Sequence, residues 1–129
     1  MSEPSEVENA TSNPDYTDLL SDLTATFNSG KTKELSWRRE QLQAVERMMS
    51  EREQDIFDAL QSDLGKSAME SFATETGYVS GDAAYNRKNL NRWTRKQRVS
   101  TPIIGQPGKS WIQAEPLGIV LVIGAWNYP

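Results

Sequence analysis

Apolar residues recur at intervals of three and four through most of the first 97 residues, which predicts a series of amphipathic helices. The first helix is predicted to begin at Asn13 and Pro14, which suit the N-cap and first helical position, and to end at Gly30. A second helix is predicted from about Ser36. The apolar positions of these two helices are Leu19, Leu20, Leu23, Phe27, Leu42, Val45 and Met49. We expect these stripes to form core or interface faces rather than a site for chemistry.

Two capping-box patterns divide the rest of the helical region. The box at Ser50–Glu53 predicts a break near residue 50, followed by a helix that ends at Gly65. The box at Ser67–Glu70 predicts the start of a long helix that runs to Trp93. The apolar face of that helix is predicted to hold Met69, Phe72, Ala73, Val79, Ala83, Leu90 and Trp93.

The pattern changes after Arg98. Residues 99–107 hold two prolines and a glycine and are predicted to be extended or irregular, whereas residues 109–115 alternate weakly, as in a strand. Residues 117–126 are apolar throughout, which is typical of a parallel strand buried on both faces. Parallel neighbours need crossover connections of roughly a dozen residues. Only residues 127–129 follow, so we expect the chain to be the front part of a larger α/β protein.

Composition excludes several kinds of chemistry. The 129 residues include no cysteine and no histidine. A disulfide framework, a cysteine-ligated zinc site, a thiol nucleophile and a serine–histidine–aspartate triad are therefore absent from the sequence, and no metal site is expected. The net charge of −4 also argues against a uniformly basic nucleic-acid-binding protein.

We expect no targeting signal in the N-terminal residues. Residues 1–14 are polar and acidic, and we predict that they form a disordered leader. The acidic start lacks the positive charge of a secretory or mitochondrial signal. The apolar run from Ile119 to Trp126 is far shorter than the roughly 20 residues of a membrane span. We therefore expect no membrane span and a cytoplasmic location.

A run of seven cations without an acid lies between Arg87 and Lys109, close to Trp93 and Trp111. One interpretation is a nucleic-acid or phosphate surface with aromatic stacking. The other is a cation-rich helix C-terminus that leads into a solvated loop. Because no nucleic-acid-binding motif accompanies the charge, we favour the second interpretation and expect no nucleic-acid partner.

The last fifteen residues carry the most specific pattern. A Pro-x-Gly start at Pro116, an apolar run and the ending Trp126-Asn127-Tyr128-Pro129 resemble the aldehyde dehydrogenase superfamily. The segments 27–32 and 62–66 and the long helix to Trp93 resemble its class 3 branch of fatty and aromatic aldehyde dehydrogenases. The resemblance begins near residue 16.

The resemblance implies an α/β parent enzyme with a Rossmann-like parallel sheet, of which this chain is a mainly α-helical N-terminal piece. Residues 15–97 would be helices of the cofactor-binding domain. Residues 98–116 would be an extended segment that includes oligomerisation strands. Residues 117–129 would be the truncated first strand of the cofactor-binding sheet, buried in the parent.

The resemblance also assigns roles to the terminal residues. The Asn127 amide would donate to the oxyanion formed when a thiol attacks the aldehyde carbonyl. The residues implied to line the cofactor pocket are Ile123, Gly124, Ala125 and Trp126. Tyr128 would lie beside the substrate, and Pro129 would form the turn out of the strand. Without the complete motif, Asn127 would be interpreted as a turn residue at a strand end.

The implied function is oxidation of an aldehyde to a carboxylic acid with NAD or NADP, by a homodimer when the enzyme is whole. In relatives the catalytic cysteine, the general-base glutamate and the dinucleotide loop lie beyond the equivalent of residue 129, so this chain alone is expected to be inactive. Two alternatives stay open. One is a truncated, non-catalytic remnant that acts in binding or assembly. The other is a helical module that binds nucleic acid through its basic run.

Overall fold

A computed structural model describes residues 15–129 and shows a mainly helical unit with a small two-stranded sheet. The predicted leader, residues 1–14, and the predicted helix start at Asn13 and Pro14 lie outside the described residues. The helices are α1 (Thr17–Asn28), α2 (Leu35–Glu51), α3 (Glu53–Leu64), α4 (Ala68–Ser71) and α5 (Gly77–Thr94). The strands are β1 (Gln97–Val99) and β2 (Ser110–Ile112). The predicted mainly helical character is confirmed.

Two glycines end helices as predicted. Gly65 caps α3 with φ of 67°, and Gly30 follows α1 with φ of 79°. Both values lie in the left-handed region, which glycine adopts without a steric penalty. A short 3₁₀ turn, Lys31–Lys33, then leads into α2.

The two predicted capping boxes behave differently. Ser67 is the N-cap of α4 and its hydroxyl accepts a hydrogen bond from the Glu70 amide at 3.2 Å, as predicted. The predicted cap at Ser50 is wrong, because α2 continues through that position and Ser50 has helical neighbours on both sides. The break itself is present, at Arg52, whose φ of −111° and ψ of 17° separate α2 from α3.

The predicted long helix is interrupted. Residues Phe72–Thr76 form a π-helical turn between α4 and α5. A π-helical turn changes the angular position of every residue after it, so one apolar stripe cannot continue across it. Met69 and Phe72 are consequently exposed, whereas Ala83 in α5 is buried. The prediction of a single apolar face from Met69 to Trp93 is wrong for this reason.

The pair α2 and α5 forms the main helix packing, in antiparallel orientation. Arg87 of α5 donates hydrogen bonds to both carboxylate oxygens of Glu46 in α2, at 2.7 and 3.2 Å. Further along, Arg39 donates to the Asn91 side-chain oxygen at 2.5 Å. The hydrogen bonds from Arg87 hold the pKa of the Glu46 carboxyl below its ordinary value. Arg87 is thus committed to a structural contact.

The Glu46–Arg87 pair predicts a pH-dependent stability. Because the folded-state pKa of Glu46 is lowered, its contribution is fully present above the ordinary glutamate pKa of about 4.3. That contribution is lost as the pH falls through the lowered pKa. Urea unfolding across a pH series should show wild type more stable than Glu46→Gln near neutrality, with the difference shrinking in acid. In an Arg87→Met background the same substitution should leave no pH-dependent difference, and persistence of that difference would contradict the assignment.

The hairpin of β1 and β2 follows the helices. The strands pair in antiparallel register, with Arg98 opposite Trp111 and Val99 opposite Ser110. The predicted strand within residues 109–115 is confirmed as β2, and the irregular connection within residues 99–107 is confirmed as well. Ile103 and Ile104 at the tip of this connection are exposed.

The last part of the chain, residues 113–129, is called here the C-terminal segment. It contains no strand, and Leu117, Val120 and Leu121 are exposed. The terminal buried strand predicted over 117–129 thus does not form in the described chain, and its place in the sheet of a larger protein stays a prediction. A strand forms only by hydrogen bonding to a neighbouring strand, and no part of residues 15–129 pairs with this segment. A salt bridge of 3.6 Å between Glu115 and Lys33 links it to the helical unit.

Candidate functional site

A turn closes the end of the chain. The Tyr128 amide donates to the Ala125 carbonyl at 3.4 Å, so Trp126 and Asn127 lie at the centre of a four-residue turn. Both central residues are exposed, and Trp126 retains 86% of its accessible surface. The turn presents the amide of Asn127, the predicted oxyanion donor, on the surface of the unit. A role in chemistry for Asn127 stays a prediction.

The four residues predicted to contact the cofactor form an open, apolar stretch. Ile123 is 83% exposed, and a Cβ added at Gly124 would meet no atom within 4 Å. An apolar surface with a glycine in it fits one side of a flat nicotinamide ring, because the ring could approach the backbone closely. Ala125 is likewise exposed. A cofactor-binding role for these residues stays a prediction.

Tyr128 lies against a buried ion pair. The Lys66 ammonium is 2.5 Å from Oε1 of Glu75 and 4.1 Å from the centre of the Tyr128 ring. The side chains of Lys66 and Glu75 are only 7% and 12% exposed. The cation therefore has a carboxylate as one partner and an aromatic face as the other.

Tyr128 and Pro129 also border an open cavity of about 830 Å³. Its apolar lining comes from α2, α3 and α5, and includes Met48, Met49, Ile56, Leu60, Tyr78 and Val79. Glu75, Arg52 and Asp55 supply polar groups to the lining. Small-molecule sites are typically clefts of this size, with apolar walls and a few polar groups. Of the predicted site residues, the structure brings only Tyr128 to this cavity. The others do not line it: Ile123, Gly124, Ala125, Trp126 and Asn127.

No motif in the sequence predicted a site at Lys66, Glu75 or the residues that line the cavity. A weak signal existed for Lys66, which directly follows the helix-ending Gly65 and so sits at a defined turn. Nothing in the sequence marked Glu75, because its partner depends on the π-helical turn that carries it. Tyr78 and Val79 are distributed along α5 as ordinary helix residues.

The described residues contain no metal centre and no membrane-crossing helix. Across residues 15–129, no three histidine, cysteine, aspartate or glutamate side chains group closely enough to hold a metal ion. None of the described helices combines the length and the apolar character that crossing a membrane requires. In the basic run, Arg87 pairs with Glu46, Arg92 lies in the last turn of α5, and Lys96 lies 4.8 Å from the centre of the Trp111 ring. Cations in the last turn of a helix interact favourably with its dipole.

Comparison with known proteins gives consistent matches. The sequence model described as "Aldehyde dehydrogenase family" matches residues 4–129. The 4,4'-diaponeurosporen-aldehyde dehydrogenase of Staphylococcus aureus is 43% identical over 108 residues, which cover 84% of this chain and 24% of that protein. The dimeric, NADP-preferring aldehyde dehydrogenase of Canis lupus familiaris is 42% identical over 105 residues, which cover 81% of this chain and 23% of that protein.

A solved structure is similar as well. The substrate-bound state of Staphylococcus aureus AldH superimposes with a TM-score of 0.75 at 38% identity, over 81% of this chain and 23% of that one. The chain thus spans about a quarter of the length of the relatives it matches.

Proposed function

This chain belongs to the aldehyde dehydrogenase family, and from that premise we propose that it forms the N-terminal part of a class 3-like enzyme that oxidises an aldehyde to a carboxylic acid with NAD or NADP. The observation that carries the proposal is the match through residue 129, which includes the complete Trp126-Asn127-Tyr128-Pro129 ending. The parent fold in this proposal is an α/β protein with a Rossmann-like sheet, and residues 117–129 become its first strand once neighbouring strands pair with them.

In the proposed reaction, Asn127 stabilises negative charge on the substrate oxygen. Its side-chain amide is exposed on a closed turn and is available to donate a hydrogen bond to the oxyanion. The bound nicotinamide supplies the hydride acceptor. The exposed surface of Ile123, Gly124, Ala125 and Trp126 holds one side of it. The thiol nucleophile has to come from residues outside this sequence, which contains no cysteine.

The cavity beside Tyr128 supports an apolar aldehyde as substrate. Its apolar wall from three helices can bury a hydrocarbon chain, and burial of each CH₂ group contributes about 0.8 kcal/mol. Tyr128 borders this cavity and is the neighbour in sequence of Asn127, which does not itself line it. In this proposal, an aldehyde whose chain occupies the cavity has its carbonyl at the Tyr128 end, one residue along the chain from the proposed donor.

We also propose that the whole enzyme is a homodimer in the cytoplasm. The β1–β2 hairpin has exposed side chains, including Trp111, Ile112 and the tip residues Ile103 and Ile104. Exposed strand edges favour pairing with another chain. One of the relatives is named as dimeric. The compartment stays a prediction from the sequence.

The function can be tested with a chimera. In it, this chain replaces the matching segment of the Staphylococcus aureus 4,4'-diaponeurosporen-aldehyde dehydrogenase. We expect the chimera to reduce NAD or NADP in the presence of decanal, with a lower KM than for acetaldehyde because of the apolar cavity. The 129-residue chain alone should produce no reduced nicotinamide, because it lacks a thiol. Reduction by the isolated chain, or a folded but inactive chimera, would contradict the proposal.

A further inference from the structure

One buried ammonium group connects two parts of the molecule that are far apart in sequence. Lys66 lies between α3 and α4, and its Nζ contacts both the Glu75 carboxylate at 2.5 Å and the Tyr128 ring, whose centre lies 4.1 Å away. Tyr128 is 62 residues further along the chain, directly after Asn127. The described contacts thus join the helical unit to the end of the C-terminal segment at this point.

The position of Glu75 depends on the π-helical turn Phe72–Thr76. Such turns are rare, which indicates a cost in stability relative to an α-helix, and they are frequent at functional sites. A second cost lies immediately before the turn, where the buried Ser71 hydroxyl has no hydrogen-bond partner among the described residues. Local losses of stability of this kind cluster at functional sites, where the surrounding structure compensates for them. The site next to this turn is the one that holds Lys66 and Tyr128.

Stability alone is a weak reason for a buried ion pair. Removing two charges from water is costly, and an apolar pair of similar volume is often as stable or more stable. The Lys66–Glu75 pair has an additional consequence, since Glu75 holds the ammonium where it meets the face of Tyr128. An apolar side chain at position 66 could contact the same ring but would lack the electrostatic attraction to its face.

We infer that Lys66 and Glu75 are positioning residues for Asn127, an inference that rests on the proposed oxyanion role of that amide. The Tyr128 ring is held by the Lys66 ammonium, while the Tyr128 amide donates to Ala125 and closes the turn. Both constraints act on the residue that follows Asn127, so together they restrict the backbone of Asn127. The chain therefore uses a buried ion pair in its helices to orient the proposed oxyanion donor.

The test compares Tyr128→Leu with Tyr128→Phe in the isotope-labelled 129-residue chain. Phenylalanine keeps the aromatic face and leucine removes it, and neither substitution alters the helices. The heteronuclear NOE of the Asn127 amide reports backbone order, and the Lys66 Hε resonance reports the ring above it. Tyr128→Leu should lower the NOE and remove the upfield ring-current displacement of Lys66 Hε. Tyr128→Phe should preserve both. Lys96 near Trp111 is the internal control, and its resonances should not move in either variant.

A second variant removes the cation. Lys66→Met together with Glu75→Leu leaves no unpaired buried charge, and it should stay helical by circular dichroism while the Asn127 NOE falls. Unchanged order at Asn127 in Tyr128→Leu, or equal loss of order in the phenylalanine variant, would overturn the inference. An unchanged Asn127 NOE in a folded Lys66→Met, Glu75→Leu variant would also overturn the inference. If the double variant unfolds, the difference in Asn127 NOE between Tyr128→Leu and Tyr128→Phe decides whether the inference holds.

These measurements separate the inference from the proposed function. The NMR readouts involve no catalysis, so an inactive chimera would refute the proposed function and leave the ordering of Asn127 intact. Conversely, an active chimera in which Asn127 is equally ordered in all variants would refute the positioning role alone. In an active chimera, Tyr128→Leu should lower kcat and Tyr128→Phe should restore it.

Discussion

Replacing Asn127 by alanine in the chimeric dehydrogenase is expected to lower kcat by about 10²–10³, the usual cost of removing one oxyanion donor. The amide is exposed on a closed turn, so its loss removes a donor without creating a cavity in the helical unit. KM should change little, because the donor acts on charge that develops only in the transition state. Steady-state kinetics with decanal would measure both values.

The matched control for this substitution is Gln113→Ala. Gln113 is also an exposed amide in the C-terminal segment, where it donates to Glu115 at 2.7 Å, far from the turn in sequence. Its removal should leave kcat within experimental error of the unsubstituted chimera. An Asn127→Ala chimera with normal kcat, or one whose loss is entirely in KM, would show that Asn127 is a turn residue and no oxyanion donor.

Replacing Lys66 by methionine is expected to produce the largest loss of stability. The substitution leaves the Glu75 carboxylate buried without its partner, and breaking a buried pair from one side costs about 3–5 kcal/mol. Chemical denaturation followed by circular dichroism would measure the change in the free energy of unfolding. Adding Glu75→Leu should recover most of the loss, because the remaining charge is then removed as well.

The control for the Lys66 substitution is Lys33→Met. Lys33 is exposed and its salt bridge with Glu115 spans 3.6 Å in solvent. Exposed pairs contribute about 0–1 kcal/mol, so this substitution should be nearly neutral. Equal effects at Lys33 and Lys66 would mean that the Lys66–Glu75 pair is solvated in solution.

Local sequence determined the features that depend on neighbouring residues. The ends of α1 and α3 followed from Gly30 and Gly65, since a left-handed backbone at those positions favours glycine. The cap of α4 followed from Ser67 and its spacing to Glu70. Family membership also came from local information, because the ending from Pro116 to Pro129 is specific as a string of residues.

Predictions failed where the outcome depended on distant or additional residues. Ser50 has the right residues around it for a cap, but the helix α2 continues past it and the cap cannot form. The π-helical turn at Phe72–Thr76 has no sequence signature that the hydrophobic pattern could show. The apolar run after Leu117 has the composition of a buried strand, yet burial and strand pairing both require other strands.

The sequence by itself therefore determined the helical character of the unit, its family and Asn127 as the candidate donor, because these reside in short, contiguous patterns. Only the tertiary structure decided that Lys66, Glu75 and Tyr128 meet. It also decided that an apolar cavity opens beside them. The physical reason is that the π-helical turn sets the direction of Glu75 and the fold brings Tyr128 back from the far end of the chain. Contacts of that kind are produced by packing in three dimensions and leave no periodic trace along the sequence.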